Sequence, residues 1–191
     1  MKNKFGFVSL TGRTNVGKST LLNSFFQKKI AITSRKPQTT RNRILGILSE
    51  KDSQIVFLDT PGVHLGYKRQ LNKVMNKIAS HCYEEVDLVL FLIDRLKWQK
   101  EEENILNRLK TLNKPVVLVI NKIDRLKDKT KLLAFIKDIS QKFNFLSIIP
   151  ISALKKDNLL ELKKIILNNL DSGPFHFPDD SITEFSDNFY I

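Results

Sequence analysis

Gly12-Arg13-Thr14-Asn15-Val16-Gly17-Lys18-Ser19 follows the apolar run Phe5–Leu10 and precedes a helix-like stretch from Thr20 to Phe26. The spacing matches G-x-x-x-x-G-K-S/T, and the strand before it and helix after it are the context that pattern requires. Glycines permit positive φ and a close approach of backbone to ligand. Such a loop turns its N–H groups inward around a phosphate, and the following helix N-terminus adds partial positive charge. Lys18 is then placed to bridge β- and γ-phosphates, and Ser19 Oγ to ligate Mg²⁺. As a bare string of eight residues the pattern also occurs in glycine-containing turns; the flanking elements give it weight.

On either side of this loop, apolar runs alternate with amphipathic stretches. Phe5–Leu10, Ile55–Leu58, Val86–Ile93, Val116–Ile120 and Phe145–Ile151 read as strands, and Arg43–Glu50 as one more. Val86–Ile93 and Val116–Ile120 are apolar on nearly every residue, the pattern of strands covered on both faces in a parallel sheet. Leu71, Met75, Ile78 and Cys82 share one helical face, and Leu159, Leu162, Ile166 and Leu170 share another. This alternation predicts an α/β, doubly wound, mostly parallel six-stranded sheet with about five helices, its ligands lying outside the carboxyl ends of the strands.

Two further segments stand at such strand ends. Asp59-Thr60-Pro61-Gly62 follows Ile55–Leu58. Asp59 can hold Mg²⁺, usually through water, and the Gly62 N–H can meet a γ-phosphate. Asn121-Lys122-Ile123-Asp124 follows Val116–Ile120. A carboxylate at Asp124 accepts two parallel hydrogen bonds from N1–H and N2–H₂ of guanine. Adenine offers neither and would leave that carboxylate unpaired, a loss of about 1–3 kcal/mol or more. Asn121 ties this loop to the phosphate loop, and the Lys122 stem covers the base. Ser152-Ala153-Leu154, after the last strand, offers the Ala153 N–H to guanine O6. The ligand read from these residues is GTP or GDP.

Composition sets the bounds. The 191 residues suffice for one α/β domain with a sizeable core. No apolar run reaches the length of a membrane span. Met1-Lys2-Asn3-Lys4 is no signal peptide, so a cytoplasmic location is expected. The single cysteine, Cys82, excludes an internal disulfide. The net charge of +12 points either to an anionic partner such as nucleic acid or to a bias toward lysine. It is uneven: residues 171–191 hold five of the 20 acids and no Lys or Arg, so 32 basic residues face 15 acidic ones over residues 1–170, a net +17. A boundary near residue 170 follows, with a core domain of 1–170 and a tail of 171–191. Five aromatics in that tail, Phe175, Phe177, Phe185, Phe189 and Tyr190, predict a strip packed on the domain rather than a free tether.

In this order the segments resemble the translation-factor class of P-loop GTPases, a Ras-like fold. Ser34-Arg35-Lys36-Pro37-Gln38-Thr39-Thr40-Arg41 resembles switch I of the Era family, bacterial GTPases of small-subunit ribosome assembly. Gly12 through Asn23, Asp59-Thr60-Pro61-Gly62-Val63-His64 and the tail from His176 to Thr183 are similar to the same family. The resemblance implies GTP hydrolysis with Mg²⁺ held by Ser19, Asp59 and Thr40, with Thr39 the second candidate for the place of Thr40, and catalysis resting on Lys18, Thr40, Gly62 and Asn15. It implies nucleotide contacts from Gly12, Asn15, Val16, Gly17, Lys18, Ser19, Thr20, Asp59, Gly62, Asn121, Lys122, Asp124, Ser152, Ala153 and Leu154. Val63 stands where signalling GTPases place a water-orienting glutamine, and Asn15 where relatives use a bound K⁺. Turnover is then expected to be slow, on the order of 10⁻⁴–10⁻² s⁻¹. The implied partners are the 30S subunit and its 16S rRNA, with peripheral inner-membrane association and a monomeric state.

The chain departs from the family at Thr14, where proline is usual. It also lacks the G-x-x-G of a C-terminal KH domain, so 171–191 reads as a linker to a domain not in this sequence. Lys28, Lys29, Arg35, Lys36, Arg41 and Arg43 flank switch I as an RNA-facing surface or as a solvated loop. Two other readings stand beside the switch. One is a GTP-binding module without productive turnover. The other is a GTPase domain of the tRNA-modification family, which prefers G-x-T-R-D where this chain has Gln38-Thr39-Thr40-Arg41-Asn42.

Overall fold

The computed structural model describes residues 3–26, 43–59, 86–128 and 130–177. One sheet runs through them in the order β2-β3-β1-β4-β5-β6, formed by β1 (Lys4–Thr11), β2 (Arg43–Glu50), β3 (Ser53–Asp59), β4 (Leu88–Asp94), β5 (Val116–Asn121) and β6 (Ser147–Pro150). All neighbours are parallel except β2, which runs antiparallel to β3 with a register break between Ile44 and Gly46. The expected six strands are present. A two-residue strand, β7 (Asp171–Ser172), adds a seventh by pairing antiparallel with Lys4 and Phe5 of β1.

Four α-helices cover the sheet among the described residues: α1 (Lys18–Phe25), α2 (Lys100–Leu109), α3 (Thr130–Ser140) and α4 (Leu159–Asn168). Alternate residues of each central strand feed two separate cores. Leu88, Leu90 and Leu92 join Leu21, Leu162 and Ile166 on one face. Val89, Phe91 and Ile93 join Ile105, Leu106, Leu109 and Ile139 on the other. Both faces of β4 are therefore dry, which is why its sequence is apolar from Leu88 to Ile93. Each such side chain contributes about 1.5–3 kcal/mol on burial.

Element ends shift for identifiable reasons. β4 begins at Leu88 rather than Val86 because Asp87 breaks the ladder: its Oδ2 accepts from Phe7 N (2.7 Å) while its N–H donates to Phe7 O (2.9 Å). α1 begins at Lys18, two residues before Thr20, because left-handed Gly17 (φ 101°) is its cap. The helix expected through Leu71–Cys82 lies outside the described residues.

The chain past residue 170 stays on the sheet. Leu170 O accepts from Lys4 Nζ (2.6 Å), and Gly173 N donates to Asn3 O (3.0 Å). Buried Gln54 then grips the next residues: its Oε1 accepts from His176 N and Phe177 N (3.1 Å each), and its Nε2 donates to Phe177 O (2.9 Å). The His176 ring lies 4.3 Å from that of Phe5, and Phe177 packs on the second core. The aromatic strip expected beyond residue 177 lies outside the described residues.

β1 touches β3 on one side and β4 on the other, so the strand order reverses beside it. The crevice at the carboxyl end of β1 is the ligand position for such a sheet.

Candidate nucleotide-binding site

That crevice is where the loop Gly12–Gly17 lies. Gly12 has φ 144°, and a Cβ there would overlap the Leu92 carbonyl oxygen. Gly17 has φ 101°, and a Cβ there would overlap Asn121 Nδ2. Both positions demand glycine for conformation and for space. Asn15 also takes a left-handed conformation (φ 62°), one its short side chain tolerates. Lys18 folds back across the loop and donates to Gly12 O (2.9 Å) and Arg13 O (2.8 Å). No side chain caps α1 and its first turn holds no acid, so the orphan N–H groups there are left for another acceptor. Ser19 and Thr20 are exposed on that turn, whereas Val16 is buried.

The Asn121–Asp124 segment meets this loop through one amide. Asn121 is 2% exposed at the end of β5. Its Nδ2 donates to Val16 O (2.8 Å), while its Oδ1 accepts from Lys122 N (2.8 Å) and Ala153 N (3.0 Å). Three segments distant in sequence are joined by one side chain, as the tie to the phosphate loop required. Left-handed Lys122 (φ 64°) sends its Nζ to Asn15 O (2.5 Å) and towards Asp94 Oδ2 (3.3 Å). Asp124 lies in a 3₁₀ turn, Ile123–Arg125, where its Oδ1 accepts from Ser152 Oγ (2.5 Å). Ser152 in turn accepts from Lys155 N (3.1 Å).

Two expectations change here. The Ala153 N–H does not stand open for guanine O6, because Asn121 Oδ1 holds it. A base at this edge would share that donor in a three-centre bond. The cost of an unpaired carboxylate presumes that it is buried, whereas Asp124 is exposed, so discrimination against adenine requires the base itself to cover the carboxylate.

Sequence reasoning missed Asp94 and Arg13. Asp94 closes β4, and Arg95 Nε donates to its Oδ1 (2.8 Å). Burial opposes its charge, but the Arg95 hydrogen bond and the Lys122 ammonium outweigh that and hold the carboxyl below its ordinary 3.8. A carboxylate ending a wholly apolar strand was a legible signal, since strand ends in this sheet face the ligand. Arg13 sits at a position the motif leaves free, and nothing in the sequence marks its partners. Thr40 and Gly62 lie outside the described residues, as does the Asp59 side chain. The backbone of Asp59 ends β3 in register with Leu10, beside the phosphate loop.

A phosphate loop at the switch point of a mostly parallel sheet, joined by an amide to an Asn-Lys-x-Asp turn two strands away, defines a P-loop nucleotide-binding domain. The chain belongs to the family described as 50S ribosome-binding GTPase, whose family model matches residues 7–122. The Era resemblance read from the motifs is borne out by the relatives. GTPase Era of Haemophilus influenzae (strain PittGG) is 50% identical over 184 residues, covering 96% of this chain and 61% of that protein. GTPase Era of Pasteurella multocida (strain Pm70) is 47% identical, with 96% and 60% covered. The chain thus spans about three fifths of the length of the curated relatives it matches. Among solved structures, Era in complex with MgGDPNP and nucleotides 1506–1542 of 16S ribosomal RNA matches with TM-score 0.80 at 44% identity, covering 96% of this chain and 63% of that one. A variant of Aquifex aeolicus Era bound to GDP and AlF₄⁻ matches with TM-score 0.78 at 44% identity, with 96% and 62% covered.

Proposed function

We propose that this chain is a guanine-nucleotide switch that binds and hydrolyses GTP with Mg²⁺ and times a step of small-subunit ribosome assembly. The observation that carries the reading is the Asn121 amide, which locks the purine-reading turn to Val16 of the phosphate loop at 2.8 Å. The residues present fit the ligand. Glycine-only positions at 12 and 17, an α1 with no side-chain cap and a carboxylate oriented by Ser152 are what a triphosphate and a guanine edge require. The hard oxygen donors Ser19 and Asp59, with Thr40, suit Mg²⁺, which neutralises charge on the β- and γ-phosphate oxygens when bound.

In this reading Lys18 exchanges its carbonyl partners Gly12 O and Arg13 O for phosphate oxygens, and Gly62 N–H reports the γ-phosphate. Asn15, exposed at the loop, would hold a K⁺, which would supply the charge an arginine finger supplies elsewhere. Residues 1–170 form the switch domain and 171–191 its linker, which remains on the sheet as far as Phe177. The 30S subunit and 16S rRNA are the partners in keeping with the Era complex, with the protein a cytoplasmic monomer; no described helix is long and apolar enough to cross a membrane.

Calorimetric titration in Mg²⁺ buffer should show GTP and GDP bound and ATP weaker by roughly 10⁴-fold. Multiple-turnover phosphate release should be slow and faster in K⁺ than in Na⁺. Equal binding of ATP would overturn the guanine assignment; GTP binding without turnover would leave a binding module.

A further inference from the structure

Arg13 occupies an unassigned position of the phosphate loop, yet its side chain leaves that loop and is bound at the start of α2. Nη1 donates to Gln99 Oε1 (2.8 Å) and lies 3.3 Å from Glu101 Oε2. Nε lies 2.8 Å from Glu102 Oε1, off the hydrogen-bonding line, and neither atom has a hydrogen-bond partner among the described residues. Glu102 is 0% exposed. A buried carboxylate is tolerated only when paired, and the Arg13 guanidinium is the cation beside Glu102.

The two oxygens of Glu102 have separate tasks. Oε2 accepts from Gln99 N (2.9 Å) and closes the capping box of α2. Oε1 faces Arg13. The backbone that Arg13 belongs to is also the backbone that holds Lys18: the carbonyls of Gly12 and Arg13 are the Nζ acceptors. A grip on the Arg13 side chain is therefore a grip on the peptide that orients the phosphate-bridging lysine. A guanidinium turned towards α2 is also not one that meets phosphate.

We infer that Glu102 is a positioning residue which, acting through Arg13, fixes the phosphate loop and Lys18 and thereby sets nucleotide affinity. The affinity component rests on the proposed GTP reading; the loop-fixing component does not. Glu102→Gln keeps a carbonyl oxygen for the α2 cap and removes the charge. Its GDP affinity, titrated calorimetrically and followed by the single tryptophan, Trp98, beside the cap, should fall about ten- to a hundredfold. KM for GTP should rise, with a smaller fall in kcat from the displaced Lys18.

Arg13→Met should do the same, the Arg13→Met/Glu102→Gln pair should be no worse than either single change, and Arg13→Lys should keep more affinity than Arg13→Met. In the nucleotide-free protein, amide exchange over residues 12–18 should speed up in Glu102→Gln while thermal unfolding stays cooperative. Unchanged loop exchange with unchanged affinity overturns the inference, as do losses that multiply in the double variant. A wild-type chain that binds no GDP refutes the nucleotide reading instead, and the exchange measurement still decides the role of Glu102.

Discussion

Asn121 spends a single carboxamide on Val16, Lys122 and Ala153, so its loss strands a buried acceptor and a buried donor together. Asn121→Ala should lower stability by about 1–3 kcal/mol per unpaired group and abolish guanine-nucleotide binding, read by urea unfolding and calorimetry. Asp124→Asn replaces an acceptor by a group that also donates. GTP binding should fall by two orders of magnitude or more, and xanthosine triphosphate, with a carbonyl where guanine has an amino group, should bind better than GTP; direct competition checks it. Asp94 makes a prediction about pH. Its carboxyl is held below the ordinary 3.8, so its contribution to stability is whole above that value and is lost as pH falls through the lower, folded one. Denaturant unfolding between pH 7 and pH 2 should show an acid limb that is shallower in Asp94→Asn. At this scale the sequence marked Asn121, Asp124 and the loop glycines, because their chemistry is tied to fixed spacing. It left Arg13 unmarked, since an arginine's partner 89 residues away is a fact of folding.

Elements follow from period and punctuation. β4 and β5 were legible as two-sided strands because every residue before their last, Asp94 and Asn121, is apolar, and the structure divides them between two cores. Phe91, fully buried against α2 and edge-on to Trp98, should cost about 3–5 kcal/mol on replacement by alanine, measured by chemical denaturation. The start of α1 was misplaced by two residues because a left-handed glycine cap looks the same in sequence as any turn glycine. β7 was invisible: Asp171 and Ser172 are exposed and carry no apolar period, and only the edge offered by Lys4 and Phe5 makes them a strand.

For the molecule as a whole, Gln54 shows where sequence reading stops. One buried glutamine on β3 holds the backbone of His176 and Phe177, more than 120 residues away, and so keeps the chain against the sheet up to that point. The amino-acid order alone determined the α/β alternation, the glycine loop after β1 and the Asn-Lys-x-Asp turn after β5. These rest on local periods and on residue types whose chemistry does not depend on neighbours distant in the chain. The tertiary structure decided how those parts are joined: Asn121 to Val16, Asp94 to Lys122, Glu102 to Arg13 and Gln54 to the tail. Each is a directional contact of a few ångströms, and only the packing of separate strands and helices brings its two ends together.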